Sequence, residues 1–122
     1  MRSIEDIFRE VESVPDFYGH IIDSADYRNG YGDSPLHVVC CWGDCEAISL
    51  LLKGGANINA KGESGFSPLH CSVEQNHPDA VKLLLENGAL IQVDDSGVTP
   101  FELAGFLGCN EILQLFSTSF IF

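Results

Sequence analysis

The chain of 122 residues has the size of one domain, and 45% of its residues are hydrophobic, which is enough to form a buried core. Its formal net charge is −12, from eighteen acidic and six basic residues. So acidic a surface disfavours binding to nucleic acid and to anionic membranes, because contacts with phosphates require clustered Lys and Arg. It favours binding to a basic protein surface, although an acidic surface can also serve only to keep a protein soluble.

The N-terminus and the cysteines indicate in which cellular compartment the protein is expected. No apolar run reaches the ~18 residues that a membrane-spanning helix requires. Met1 to Glu12 lacks the basic stretch, apolar stretch and cleavage site of a signal peptide. The five cysteines, of which Cys40 and Cys41 are adjacent, favour free thiols over a disulfide framework. We therefore expect a cytoplasmic protein.

A six-residue motif recurs with a period of about 33 residues. Gly-Asp-Ser-Pro-Leu-His occupies 32–37, Gly-Phe-Ser-Pro-Leu-His occupies 65–70, and Gly-Val-Thr-Pro-Phe-Glu occupies 97–102. The Ser or Thr before each proline suits a helix N-cap, with Pro at the first helical position. We expect the short helices that follow to end at residues that tolerate a left-handed backbone, namely Gly43, Asn76 and Gly108.

A second helix is predicted in each repeating unit. Leu-Leu-Leu occurs at 50–52 and again at 83–85, and Gly-Ala follows each triplet, at 55–56 and 88–89. Helices of this length are not stable alone in water, so each must bury its apolar face against a neighbour. Such units are therefore expected to form a stack.

These residues carry a resemblance to a known family. Ser/Thr-Pro-Leu-His, a helix and then Leu-Leu-Leu-x-x-Gly-Ala resembles the ankyrin repeat, over about 27–117. The resemblance implies an all-α solenoid of helix pairs with projecting hairpin loops, and protein binding as its activity. We assign 1–26 to an N-terminal helical cap and the three repeats to 27–60, 61–93 and 94–122.

Both ends of the chain depart from the repeat pattern. We expect Ser3 to cap a helix with an apolar stripe, and Pro15 to begin a second short helix that carries Phe17, Ile21 and Ile22. In the third repeat Glu102 replaces the histidine of the motif. The chain then ends in apolar residues that either seal the stack or form a contact, including a weak dimer: Phe116, Phe120, Ile121 and Phe122.

Candidate catalytic and metal-binding residues are few. His37 and His70 occupy the motif position at which the resemblance implies a hydrogen bond to the backbone between repeats. One histidine per repeat provides no converging set of ligands. No glycine-rich phosphate loop or Gly-x-Ser-x-Gly motif occurs. We expect no enzymatic activity, no cofactor and no metal, and keep a sensor built on four cysteines as a less favoured hypothesis: Cys40, Cys41, Cys45 and Cys71.

The positions that the repeat leaves free indicate a binding surface. In such a stack, some side chains of the first helices face the neighbouring helices and others face an open concave groove. By register with the motif, the residues that face the groove are Val38, Cys41, Trp42, Cys71, Glu74, Gln75, Leu103, Phe106 and Leu107. A solvated face does not need Trp or Phe, and Trp is a common anchor in protein interfaces. The alternative is that Trp42 packs on its neighbours as part of the core.

The loop tips are the second predicted surface. They contribute Tyr27, Arg28, Tyr31, Glu63, Asp94 and Asp95. Tyrosine provides contact area at a low entropic cost, which suits a binding loop, whereas the second and third tips are equally consistent with solvated turns. We expect a partner protein with a basic surface. An immunity-type inhibitor of a basic toxin or nuclease, and a regulatory adaptor or inhibitor of an enzyme or transcription factor, both fit this expectation.

Overall fold

The computed structural model describes residues 1–119, which contain seven α-helices and no strand. The helices are α1 Ile4–Glu12, α2 Pro35–Trp42, α3 Cys45–Lys53, α4 Pro68–Glu74, α5 Pro78–Glu86, α6 Pro100–Leu107 and α7 Asn110–Ser119. Two short 3-10 turns are also present, at Pro15–Phe17 and Glu63–Gly65. After α1 the helices come in three pairs, as the period of the sequence predicted.

The predicted helix boundaries are confirmed. Ser34, Ser67 and Thr99 each accept a hydrogen bond from the backbone N–H three residues later, and that residue's side chain bonds back to the cap. Gly43 and Gly108 end α2 and α6 with φ of 70°, in the left-handed region. Asn76 follows α4 with φ of 56°, a conformation that asparagine tolerates.

The pairs stack side by side, so that two layers of helices run through the molecule. The first helices α2, α4 and α6 contact one another in sequence, and the second helices α3, α5 and α7 do the same. The leucines at equivalent positions of successive repeats are fully buried between them, as are two from the motif itself: Leu51, Leu84, Leu36 and Leu69. Burial of a leucine side chain contributes about 1.5–3 kcal/mol, which short helices obtain only in the stack.

The motif histidines connect successive repeats, as the resemblance implied. Ser34 N–H donates to His37 Nδ1 at 3.0 Å, which leaves the proton on Nε2, and Nε2 donates to the Phe66 carbonyl at 2.9 Å. His70 repeats this arrangement and donates to the Val98 carbonyl at 2.9 Å. Burial lowers the pKa of both imidazoles below the ordinary value, so the neutral form that makes these bonds is favoured.

The N-terminal cap differs from the prediction in its second half. Helix α1 packs against α2 and α3, as expected of a cap. The predicted second helix is wrong, since the segment forms only the 3-10 turn Pro15–Phe17. Gly19 then redirects the chain at φ of 83°. As a result Ile22 is buried while Ile21 is 76% exposed.

A charged network fixes this cap on the first repeat. The guanidinium of Arg2 donates to Glu10 at 2.9 Å, to Asp44 at 2.7 Å and to Glu46 at 2.7 Å. Asp44 also caps α3 by accepting from the backbone N–H of Ala47 at 3.1 Å. Its hydrogen bond with Arg2 lowers the pKa of Asp44, so the bridge between cap and repeat is charged over most of the pH range.

The apolar C-terminal segment seals the last repeat as far as the structure describes it. Phe116 is fully buried and stacks on Phe101 of α6, with 5.8 Å between the ring centroids. Glu102 accepts hydrogen bonds from the backbone and side chain of Thr99, which completes the N-cap but makes no link to a further repeat. The predicted contact at Phe120, Ile121 and Phe122 lies outside the described residues.

Candidate functional site

A cleft of about 390 Å³ opens between the N-terminal cap and the first two repeats. Val14 and Phe17 of the cap form one side of it, and helices α2 and α4 form the other. The first two loops close it at the end where these helices begin. The cleft therefore depends on both the stacking of the repeats and the docking of the cap.

One part of the cleft is apolar. Val38, Cys41 and Trp42 lie along α2, and Phe66 contributes its ring from the segment before α4. Trp42 is 40% exposed, although the large hydrophobic residues of the core are almost fully buried. The alternative that Trp42 belongs to the core is therefore wrong, and the indole is accessible from solvent.

The other part of the cleft is acidic. Asp16 from the cap, Asp33 from the first loop and Glu63 from the second form an acidic trio whose carboxylate oxygens lie within 4.8 Å of one another. Asp33 Oδ1 also accepts a hydrogen bond from the backbone N–H of Glu63 at 2.9 Å. Gly62 is required for this approach, because a Cβ at that position would overlap the Asp33 carboxylate.

The acidic trio has no cationic partner among residues 1–119. The ion pairs in that range are made by Arg2 and Arg9, both with other carboxylates. Arg28, on the first loop, donates instead to the carbonyl of Gly32 at 2.9 Å. Glu74 adds a fourth carboxylate at the rim of the cleft. The site therefore presents a concentrated negative potential beside an apolar wall.

Two of the cysteines predicted at the groove are partners of each other. The hydrogen bond between the Cys71 and Cys41 side chains lowers the pKa of Cys41 and raises that of Cys71. Burial also raises the pKa of Cys71, and it raises that of Cys40. In the part of the chain described here, three potential metal ligands converge at the acidic trio and not at the four cysteines.

The remaining groove positions divide by exposure. Glu74 and Gln75 are exposed on α4, whereas Cys71 is only 6% exposed and presents little surface of its own. On α6, Phe106 is 74% and Leu107 50% exposed, whereas Leu103 is half-buried against the core. The residues selected by register are therefore partly exposed ones, and partly half-buried or buried ones such as Leu103 and Cys71.

The tip of the first loop is divided in the same way. Tyr27 is half-buried: its hydroxyl bonds to His20 Nδ1 at 2.7 Å and its ring packs near Phe17. Arg28 and Tyr31 are exposed. Tyr27 thus stabilises the loop, while its two neighbours are accessible to a partner.

The loops are hydrogen-bonded to one another, which fixes their spacing. The backbone N–H of Asp95 donates to the carbonyl of Ser64 at 3.0 Å. Asp94 closes its own turn by accepting from the backbone N–H groups of Ser96 at 2.8 Å and Val98 at 3.0 Å. These bonds lower the pKa of Asp94. The side chain of Asp95 remains exposed, and that of Asp94 is committed to the turn.

Sequence reasoning missed several of the residues that shape the surface, including Asp16 and Asp33 of the acidic trio. Phe66 lines the cleft, and Phe101 is 38% exposed beside Phe116. Phe101 occupies the motif position at which Leu36 and Leu69 are buried in the first two repeats. The signal available for Phe101 was that phenylalanine replaces the leucine of the motif at this position.

Comparison with known proteins identifies the family. A family model described as "Ankyrin repeats (3 copies)" matches residues 12–95 and again 36–119, so most of the chain is covered. No curated protein matches the chain significantly. Among the described residues, every helix is too short or too polar to span a bilayer. Ankyrin repeats are modules that bind other proteins, generally without enzymatic activity, and the chain belongs to the ankyrin-repeat family.

Proposed function

We propose that this protein binds a basic partner protein through the exposed face of its first helices and thereby covers a site on that partner. The observations that support the proposal are the solvent-accessible apolar side chains on these helices, Trp42 on α2 and Phe106 and Leu107 on α6, together with the acidic cleft that Trp42 also lines. Aromatic anchors contribute most of the energy of typical interfaces, and complementary charge accelerates encounter. We call this surface the groove face.

The acidity of the groove face favours an immunity-type inhibitor of a basic toxin or nuclease. A net charge of −12 on 122 residues gives long-range attraction to a positively charged active cleft. Such a complex would form with an association rate that falls steeply as salt is added. A regulatory adaptor or inhibitor of an enzyme or transcription factor is the alternative, and its affinity would depend less on salt.

Affinity capture with matched variants tests the proposal. The wild-type protein, a groove variant carrying Trp42→Ala and Phe106→Ala, and an outer-helix control carrying Lys82→Ala are immobilised and exposed to lysate of the native cells at low salt. We expect the same protein to be retained by the wild type and the control, eluted by rising salt, and lost from the groove variant. Equal retention by all three would overturn the assignment of the groove face.

A further inference from the structure

We infer that the cleft between the cap and the first two repeats receives one arginine side chain of the partner, presented on a loop or an extended segment. This inference rests on the proposed function and specifies how the partner is recognised. Two independent features of the cleft carry it: the acidic trio at one end, which forms no ion pair with any Lys, Arg or His among residues 1–119, and the apolar wall that leads to it along α2.

The acidic trio matches the head group of arginine. Its carboxylates come from three different segments and lie within 4.8 Å of one another, so that they surround a small volume. A guanidinium carries five N–H donors in a planar fork and can bond several carboxylates at once, whereas the ammonium of lysine acts as a point charge. Of these acceptors, Asp33 Oδ1 is already engaged by the Glu63 N–H.

The apolar wall matches the stem of the same side chain. Asp33 precedes α2 and Trp42 is its last residue, so the acidic end and the indole lie at opposite ends of the helix. With a rise of about 1.5 Å per residue, the path from Asp33 to Val38 is about 7.5 Å, which is comparable to an extended arginine side chain, and Trp42 lies about one helical turn further along. Methylene groups pack well on surfaces such as Val38 while the charged head remains at the polar end.

A bare metal ion fits the cleft less well. Calcium takes six to eight oxygen ligands in a close shell, whereas the cluster consists of three carboxylates, of which Asp16 and Glu63 are exposed. An ion at the trio would also leave the apolar wall without a function. The shape of the whole cleft therefore favours a ligand with both an aliphatic part and a cationic part.

The first experiment uses peptides that differ only in the head group. Acetyl-Ala-Arg-Ala-amide is titrated into the protein in parallel with the citrulline peptide, which keeps the shape without the charge, and with the lysine peptide. Binding is followed by the fluorescence of Trp42, the only tryptophan, and by backbone NMR shifts at Asp33, Glu63 and Val38. We expect the arginine peptide to bind about tenfold or more tightly than either counterpart. Equal responses, or none from any peptide, would overturn the inference.

The second experiment changes the acidic trio and leaves the fold intact. Asp33→Asn retains the oxygen that accepts from Glu63, and it is combined with Glu63→Gln. The control is Glu86→Gln with Glu111→Gln, two exposed residues of the second helices, so both variants have the same net charge. We expect the trio variant to bind the arginine peptide about tenfold more weakly and the control to match the wild type. Equal weakening in both would mean that only overall charge matters.

Two further arms separate the remaining outcomes. Calcium chloride is titrated alone, and tight binding that shifts Asp16, Asp33 and Glu63 and displaces the peptide would identify a metal site instead. The captured partner is then tested against the trio variant. If the partner binds the trio variant normally but not the Trp42→Ala variant, the groove face is supported as the binding surface and the arginine site is refuted. If the partner binds every variant normally, the proposed function is refuted, regardless of the result of the peptide titrations.

Discussion

The imidazole Nε2 of His37 donates a hydrogen bond to the carbonyl oxygen of Phe66, 2.9 Å away and 29 residues further along the chain. The bond spans two repeats, so it helps to fix the loop that carries one edge of the cleft. It requires a neutral ring, because Nδ1 must accept from the Ser34 N–H while Nε2 donates. The protonation of this histidine is therefore coupled to the integrity of the stack.

This coupling predicts a pH dependence of stability. Burial lowers the pKa of His37 and His70 in the folded state below the ordinary value of about 6.5, so the unfolded chain binds more protons as the pH falls through that value. The two histidines contribute fully to the free energy of unfolding above about pH 6.5, and this contribution is lost as the pH falls toward their pKa in the folded state. Urea denaturation between pH 8 and pH 5 measures it.

A variant isolates the histidine contribution. His37→Gln combined with His70→Gln removes both titrating groups while keeping an amide that can donate. We expect this variant to be less stable than the wild type at pH 8 but to lose less stability between pH 7 and pH 5. An identical slope of unfolding free energy against pH in the two proteins would show that other groups control the response.

The stack predicts a large cost for a cavity in the second repeat. Leu84 is fully buried, and Leu84→Ala should reduce the free energy of unfolding by ~2–5 kcal/mol through lost contacts and an unfilled cavity. Lys82→Ala on the same helix changes an exposed residue and should alter it by no more than ~0.5 kcal/mol. Chemical denaturation of both variants checks this, and similar losses in the two would contradict the described packing.

The exposure of Trp42 predicts that its replacement weakens partner binding without lowering the stability of the fold. Trp42→Ala should leave the helical circular dichroism and the melting temperature nearly unchanged, since the indole is 40% exposed. It should weaken binding of the captured partner by ~2 kcal/mol or more, as loss of an interface anchor does. A fall in melting temperature as large as that of Leu84→Ala would place the indole in the core instead.

The thiols should react in a definite order. The hydrogen bond from Cys71 lowers the pKa of Cys41, which is half-buried at the cleft, whereas burial raises the pKa of Cys40. Because the thiolate is the nucleophile, iodoacetamide should modify Cys41 first. Peptide mapping at successive times measures the rates, with Cys41→Ser as the control. Faster modification of Cys45, whose pKa is raised by burial, would contradict the assignment.

The sequence was sufficient to predict the stack and the first helix of the cap but not the second half of the cap. Caps, left-handed helix ends and buried leucines depend on local patterns that repeat in register, and the structure confirms them at Ser34, Gly43 and Leu84. The segment after Pro15 contains no pattern that recurs in the repeats. The exposure of Ile21 depends on the turn at Gly19, and an apolar residue in a lone irregular segment does not show which way it points.

The acidic cleft was beyond sequence reasoning for a different reason. Asp16, Asp33 and Glu63 lie in three segments that meet only after the cap docks on the first repeat and the loops align. Gly62 allows the closest approach, and a glycine in a loop does not reveal which side chain it admits. The exposure of Trp42 could be predicted because the register of one helix placed it on the open face.

Site-specific photocrosslinking tests most directly whether the groove face binds the partner. A photoreactive phenylalanine analogue is placed at Trp42, at Phe106 or, as a control, at Lys82 on the second helix of the second repeat, and each protein is irradiated with the captured partner. We expect crosslinks from Trp42 and Phe106 but not from Lys82, and we expect excess unlabelled wild-type protein to suppress them. Crosslinks from Lys82 alone would contradict the assignment of the groove face, because they would place the partner on the opposite face.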